Sequence, residues 1–228
     1  MNKQIQTSSF MNIDDKIYVS ICVFFAVLVV VGNLIYQKFV SLPIFSIHTF
    51  ELSVGAILYP LTFLLTDLIT EFYGKEKSRF CVKLTIVMNL IVASIIMLMD
   101  SLSATGWSKI DNELFHLVFG KYGVNFIASM IACYVAQYVD IKIYLWIKNA
   151  TKNKFLWLRS NGSTAISLLI DTSLVISILC IFNVLPPDRM FSLIASSYSF
   201  KFFFTICSTP IFYLAVQTVK VIKKNSNC

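Results

Sequence analysis

Apolar residues run through this chain in six long stretches, at 17–36, 47–66, 80–99, 123–147, 163–185 and 198–220. Each is close to the roughly 20 residues that an α-helix needs to cross about 30 Å of hydrocarbon. The pattern predicts an all-α, polytopic membrane protein. A single bundle of six transmembrane helices occupies 17–220, with short tails at 1–16 and 221–228 and no room for a second domain.

Polar residues inside such spans are costly, and they normally face the bundle interior. Their spacing is helical. In the fourth stretch Asn125, Ser129, Cys133, Gln137, Asp140 and Tyr144 step by three or four and form one stripe. In the fifth, Ser163, Ser167 and Asp171 repeat every fourth residue, and Asp171 falls near the middle of LLIDTSLVISILC. A carboxylate there needs a partner, a water-filled cavity or a ligand. Asn33 and Gln37 lie one turn apart in the first stretch, and Lys201, Thr205, Ser208, Thr209 and Gln217 accompany Pro210 in the sixth. The densest pattern is YPLTFLLTDLITEFYGKEKSR at 59–79. Asp67 and Glu71 share one flank of a helix, beside a stripe of Tyr59, Thr62, Thr66, Thr70 and Tyr73. Pro60 frees a carbonyl one turn earlier, which only a bundle interior or water can satisfy.

Each residue also has a plainer reading. Ser and Thr often bond their own backbone. Asn33 and Gln137 can act as glue between helices. Asp67, Glu71 and Asp140 can be solvated charges at helix ends, and Lys201 can snorkel to an interface.

Composition agrees with the pattern. The 228 residues are 57% hydrophobic and 14% charged, with mean hydropathy +0.75, where a soluble domain is about 45–50% apolar and about 25% charged. Of 19 basic residues, 14 fall in the tails and alternate loops of one side and five on the other. The basic-rich side is expected to be cytoplasmic and to hold both termini. The net charge of +7 then needs no nucleic acid, only topology and contact with membrane lipids. The first stretch is too long for a cleavable signal, and no A-x-A site follows it. Six scattered cysteines read as packing residues, and His48 and His116 stand alone, so neither disulfide, metal nor cofactor is expected. H-E-x-x-H and G-x-S-x-G are absent, which argues against an intramembrane enzyme.

Four blocks resemble the queuosine-precursor transporters of the YhhQ type, also called the vitamin uptake transporter family. The first carries Pro60, Asp67, Thr70, Glu71, Phe72, Tyr73 and Gly74. The second carries Ala128, Ser129, Tyr134, Gln137 and Asp140; the third Trp157, Arg159, Ser163, Thr164, Asp171 and Thr172; the last Lys201, Thr209, Pro210 and Tyr213. The likeness covers about residues 17–220. The chain departs from it at Leu168 and Val175, where many members carry an amide residue and a Phe.

The resemblance implies a bacterial inner-membrane importer of 7-deazaguanines (preQ0, preQ1 or queuine) with both termini cytoplasmic. Asp171 or Asp67 would read adjacent N–H groups of the base, with Gln137 and Asn33 as neutral readers and Tyr59 as an aromatic wall. Glu71, Asp140, Arg159 and Lys201 would form a gate or charge network. A homo-oligomer is compatible with this reading. The alternative is a substrate-capture subunit that depends on a separate ATP-driven module.

Overall fold

The computed structural model describes residues 11–44, 48–120 and 122–226. Residues 1–10 of the expected tail, Lys121, Cys228 and the side chains of His48 and Asn125 lie outside that description. The chain runs α1 (Ile13–Leu34), β1 (Phe39–Ile44), β2 (His48–Ser53), α2 (Val54–Asp100), α3 (Asn112–Phe115), α4 (Tyr122–Ala150), α5 (Leu156–Ile181) and α6 (Met190–Ser226). A π-helical turn precedes α4 and a 3-10 turn precedes α6. Asn12 opens α1 by accepting the Ile13 N–H at 2.8 Å, and Asp14 and Asp15 complement the helix N-terminus.

Among the described residues five helices are long and apolar enough to cross a membrane, one fewer than the six apolar stretches of the sequence. The reason lies in α2, whose 47 residues would extend about 70 Å if straight. Gly74, at φ 79° and ψ −178°, breaks it. The Thr70 and Ser78 hydroxyls are 2.8 Å apart, whereas eight residues of straight helix would separate them by about 12 Å. The chain therefore doubles back into arms 54–73 and 75–100, each long enough to span the bilayer. The protein is an all-α, multi-pass membrane protein.

No side-chain obstacle surrounds Gly74, since a Cβ there would meet nothing within 4 Å. Its φ and ψ belong to a region open essentially to glycine alone, and a side chain there costs about 1–3 kcal/mol. Gly74→Ala should lower the thermal midpoint of the detergent-purified protein. Gly74→Asn should do no better, because this is not the left-handed helical region that Asn tolerates. Melting curves indistinguishable from wild type would refute the strain.

Three departures from the sequence reading concern boundaries. The second stretch, expected as helix from 47, begins as strand; its helical arm starts at Val54. β1 and β2 pair antiparallel from Phe39↔Ser53 to Ile44↔His48. Pro43 disfavours helix at that point. An isolated hairpin is marginal in water, and this one docks on α6. Glu51 N–H donates to Ser196 Oγ at 3.1 Å, and the Phe50 ring meets Phe200 edge-on at 5.9 Å. Likewise α5 starts at Leu156 rather than 163 and α6 at Met190 rather than 198. Hydropathy misses the first turns of α5 because their polar residues, Arg159 and Ser160, are buried inside the bundle.

The core gathers Phe25 and Val29 of α1, Leu68 and Ile69 of α2 and Phe212 of α6. At the closest approach of α1 to α2, Gly32 and Gly55 let the two backbones touch. Met97, Leu98, Ile181 and Phe191 point outward, as lipid-facing residues should.

Candidate functional site

A cavity of about 100 Å³ opens between α1, the open end of the hairpin (Phe39 and Ser53), and the neighbouring turns of α2, α4, α5 and α6. Each helix contributes one polar residue of its stripe: Asn33, Tyr59, Ser129, Asp171 and Lys201. Lys201 does not snorkel. It is buried, its Nζ lies 2.9 Å from Asp171 Oδ2 and 3.1 Å from Thr172 Oγ1, and it stands 4.8 Å from the centre of the Tyr59 ring. Asp171 is thus compensated by a cation, and the Tyr59 ring face stabilises that cation in turn, which meets the demand its sequence position raises.

The pair leaves polar atoms available. Asp171 Oδ1 and Tyr59 Oη are buried and have no hydrogen-bond partner, although Ser129 and Cys133 lie beside the phenol. Asn33 is engaged. It accepts the Ser129 hydroxyl at 2.6 Å and donates to Asn89 Oδ1 at 3.2 Å, so its amide plane is held fixed at the cavity wall. Ordinary ligand pockets begin near 300 Å³. A ligand of that size would need this cavity to widen, and Lys201 and the hairpin are the parts of its wall that border it on one side.

Asp67 and Gln137 do not line this cavity. On α2, Asp67 lies two turns, about 12 Å, beyond Tyr59. The Thr66 hydroxyl donates to Gln137 Oε1 at 2.8 Å, and the Ser160 hydroxyl donates to Asp67 Oδ2. Asp140 is fully buried beside Asp67, Ser163, Thr164 and Ser167.

One turn further, a third cluster closes the Gly74 end of the bundle. Arg159 Nη2 lies 2.7 Å from Glu71 Oε1, and Lys148 Nζ lies 3.0 Å from Glu71 Oε2. The Tyr144 hydroxyl donates to Glu71 Oε2 at 2.9 Å and accepts from Arg159 Nε at 3.2 Å. Arg159 also donates to the Asn153 carbonyl at 3.1 Å. The expected network of Glu71, Asp140, Arg159 and Lys201 is thus divided. Glu71 and Arg159 pair, Asp140 joins Asp67, and Lys201 joins Asp171. Helix length separates them, since they occupy three levels of the bundle.

Three contributors escaped the sequence reading. Asn89 is a lone amide in an apolar arm, a signal that was present. Ser160 lay outside the expected fifth span. Lys148 counted only as a loop charge, and nothing in its spacing singled out Glu71 as its partner.

A family model described as "Putative vitamin uptake transporter" matches residues 53–215. A protein of Bacillus subtilis (strain 168) named "Probable queuosine precursor transporter" is 28% identical over 171 residues, which is 73% of this chain and 72% of that relative. No solved structure matches the chain.

Proposed function

The chain belongs to the vitamin uptake transporter family, and on that premise we propose that it imports 7-deazaguanine precursors of queuosine (preQ0, preQ1 or queuine) across the bacterial inner membrane. The observation that carries the reading is the cavity itself. A guanine-type edge presents adjacent N–H donors; the free Asp171 Oδ1 accepts one, and Oδ2, now held by Lys201, accepts the second once the ammonium shifts. The fixed amide of Asn33 pairs with a lactam or ring edge. The Tyr59 ring offers a face to the heterocycle. The named relative supports the substrate class.

Glu71, Arg159, Lys148 and Tyr144 serve as the inner gate, because they tie α2, α4 and α5 together at the end opposite the cavity. This end is cytoplasmic. The basic count favours it, and it favours it further now that Lys201, one of the five basic residues on the other side, is buried in the bundle. Lipid contacts the exposed apolar belt, and the chain is expected to work as a single polypeptide or a homo-oligomer of it.

Two experiments bear on this reading. Reporter fusions after residues 115 and 188 should give an outer-side signal, and fusions in the 150–155 loop an inner one. A cytoplasmic signal from either of the first two breaks the orientation. Expression of the chain alone, in cells lacking both precursor synthesis and their own importer, should restore queuosine in tRNA at low external preQ1, preQ0 or queuine. If none of the three is used while the protein is present in the membrane, the substrate class is refuted. A need for an added ATPase module would favour a capture subunit instead.

A further inference from the structure

Between the cavity and the inner gate lie two carboxylates that substrate recognition leaves without a task. Asp67 on α2 and Asp140 on α4 are 1% and 0% exposed and lie against each other. Among the described residues neither has a basic partner. The charged and titratable groups facing them are Glu71 from α2 and Tyr144 from α4, and Arg159 from α5 reaches them only through the Tyr144 hydroxyl. Arg159 is already held by Glu71 at 2.7 Å. On its side α6 presents hydroxyls, those of Thr205, Ser208 and Thr209.

The hydrogen-bond count around the pair is incomplete. Ser160 donates to Asp67 Oδ2. Ser163 and Ser167 direct their protons to backbone carbonyls, at 3.3 and 2.8 Å. Asp67 Oδ1, both Asp140 oxygens, Thr164 Oγ1 and Gln137 Nε2 are buried with no partner. Two adjacent anions in such a place lose their hydration and repel each other. One proton between them cancels one charge and supplies the missing hydrogen bond.

We propose that Asp67 and Asp140 hold one exchangeable proton between them and that this proton crosses with the substrate, making the protein a proton-coupled importer. The proposal rests on the importer reading above. The proton enters from the outer side by way of the cavity, resides on the dyad, and leaves to the inner side when the Glu71–Arg159 pair parts; one proton moves inward per substrate. The geometry suits coupling. Asp67 is two turns from Tyr59 in the cavity wall and one turn from Glu71 in the gate, all on one helical arm, so a rotation of that arm acts on all three levels.

The test uses the full chain reconstituted in liposomes, with the membrane potential clamped at zero. Counterflow of labelled preQ1, preQ0 or queuine reports transport whether or not protons move. An imposed gradient of one pH unit, alkaline inside, should accumulate substrate about tenfold above equilibrium. Asp140→Asn and Asp67→Asn should equilibrate substrate, at whatever rate, without accumulating it. Counterflow by the wild type with no accumulation overturns the proposal, as does accumulation driven by sodium at equal pH. If the wild type shows no counterflow at all, the substrate reading fails, and infrared spectroscopy of the purified protein decides the dyad by itself. The C=O stretch of a protonated carboxyl should be present at neutral pH and absent from the Asp67→Asn/Asp140→Asn protein. Its absence from the wild type refutes the shared proton.

Discussion

Lys201→Met should abolish uptake and remove most of the protein from the membrane. Met matches the length of the lysine stem but leaves Asp171 as a bare anion, 1% exposed among apolar neighbours. Breaking a buried ion pair on one side costs about 3–5 kcal/mol, a large part of the roughly 5–15 kcal/mol that holds a typical domain folded. Asp171→Asn should behave differently. It strands Lys201 as a buried cation, but Thr172, the Tyr59 ring and the carbonyl of the new amide still face the ammonium, which can also shed its proton, so abundance should fall less than in Lys201→Met. The amide now turns a donor toward the donors of the base, and each mismatched buried pair costs about 1–3 kcal/mol. Initial uptake should fall roughly ten- to hundredfold. The combination Asp171→Asn/Lys201→Met removes both charges, so abundance should recover while uptake stays low. Membrane level and initial rate measured on the same cells separate stability from recognition. Normal uptake by Asp171→Asn at normal abundance would remove Asp171 from the site. Unimpaired abundance of Lys201→Met would show that the pair is not what compensates the buried charge.

Gly55→Ala is the second large effect. A Cβ on Gly55 would lie 2.1 Å from the Gly32 carbonyl oxygen and 3.1 Å from Tyr36 Cα. Both obstacles are backbone, so no side chain can turn aside and α1 must move away from α2. Overpacking of this kind costs about 1–3 kcal/mol and sometimes more. The damage reaches the site directly, because Gly32, Asn33, Gly55 and Tyr59 all border the cavity. Parting the helices carries Asn33 away from Asn89 and Ser129. We expect at least an order-of-magnitude loss of uptake and a lower melting temperature. Gly32→Ala is the matched control. Its Cβ would sit 3.5 Å from the Gly55 oxygen, an ordinary contact, so uptake should stay near wild type. Equal tolerance of both substitutions would contradict the close helix approach.

Much of this arrangement is legible along the chain. Six apolar stretches predict six crossings, and the stripes through Asp67, Gln137, Asp140 and Asp171 predict which faces turn inward, because hydropathy and helical period are local properties. A span exposed to lipid must be apolar, and a polar residue within it must find company. The reversal at Gly74 follows from local chemistry as well, since a glycine between two apolar runs is where a helix can break. The hairpin at 39–53 was not legible: its second strand merges into an apolar run, and its docking on Ser196 and Phe200 lies far along the chain.

Partnership is what only the tertiary structure decides. Asp171 meets Lys201 across 30 residues of chain, and Glu71 meets Arg159 across 88. Each helix announces that it carries a buried charge, but which charge on which neighbour answers it depends on the rotation and relative height of packed helices. Those are set by contacts such as Gly32 on Gly55 that no single segment contains. The division of the charged residues into a cavity pair, an uncompensated dyad and an inner gate is therefore a property of the packing.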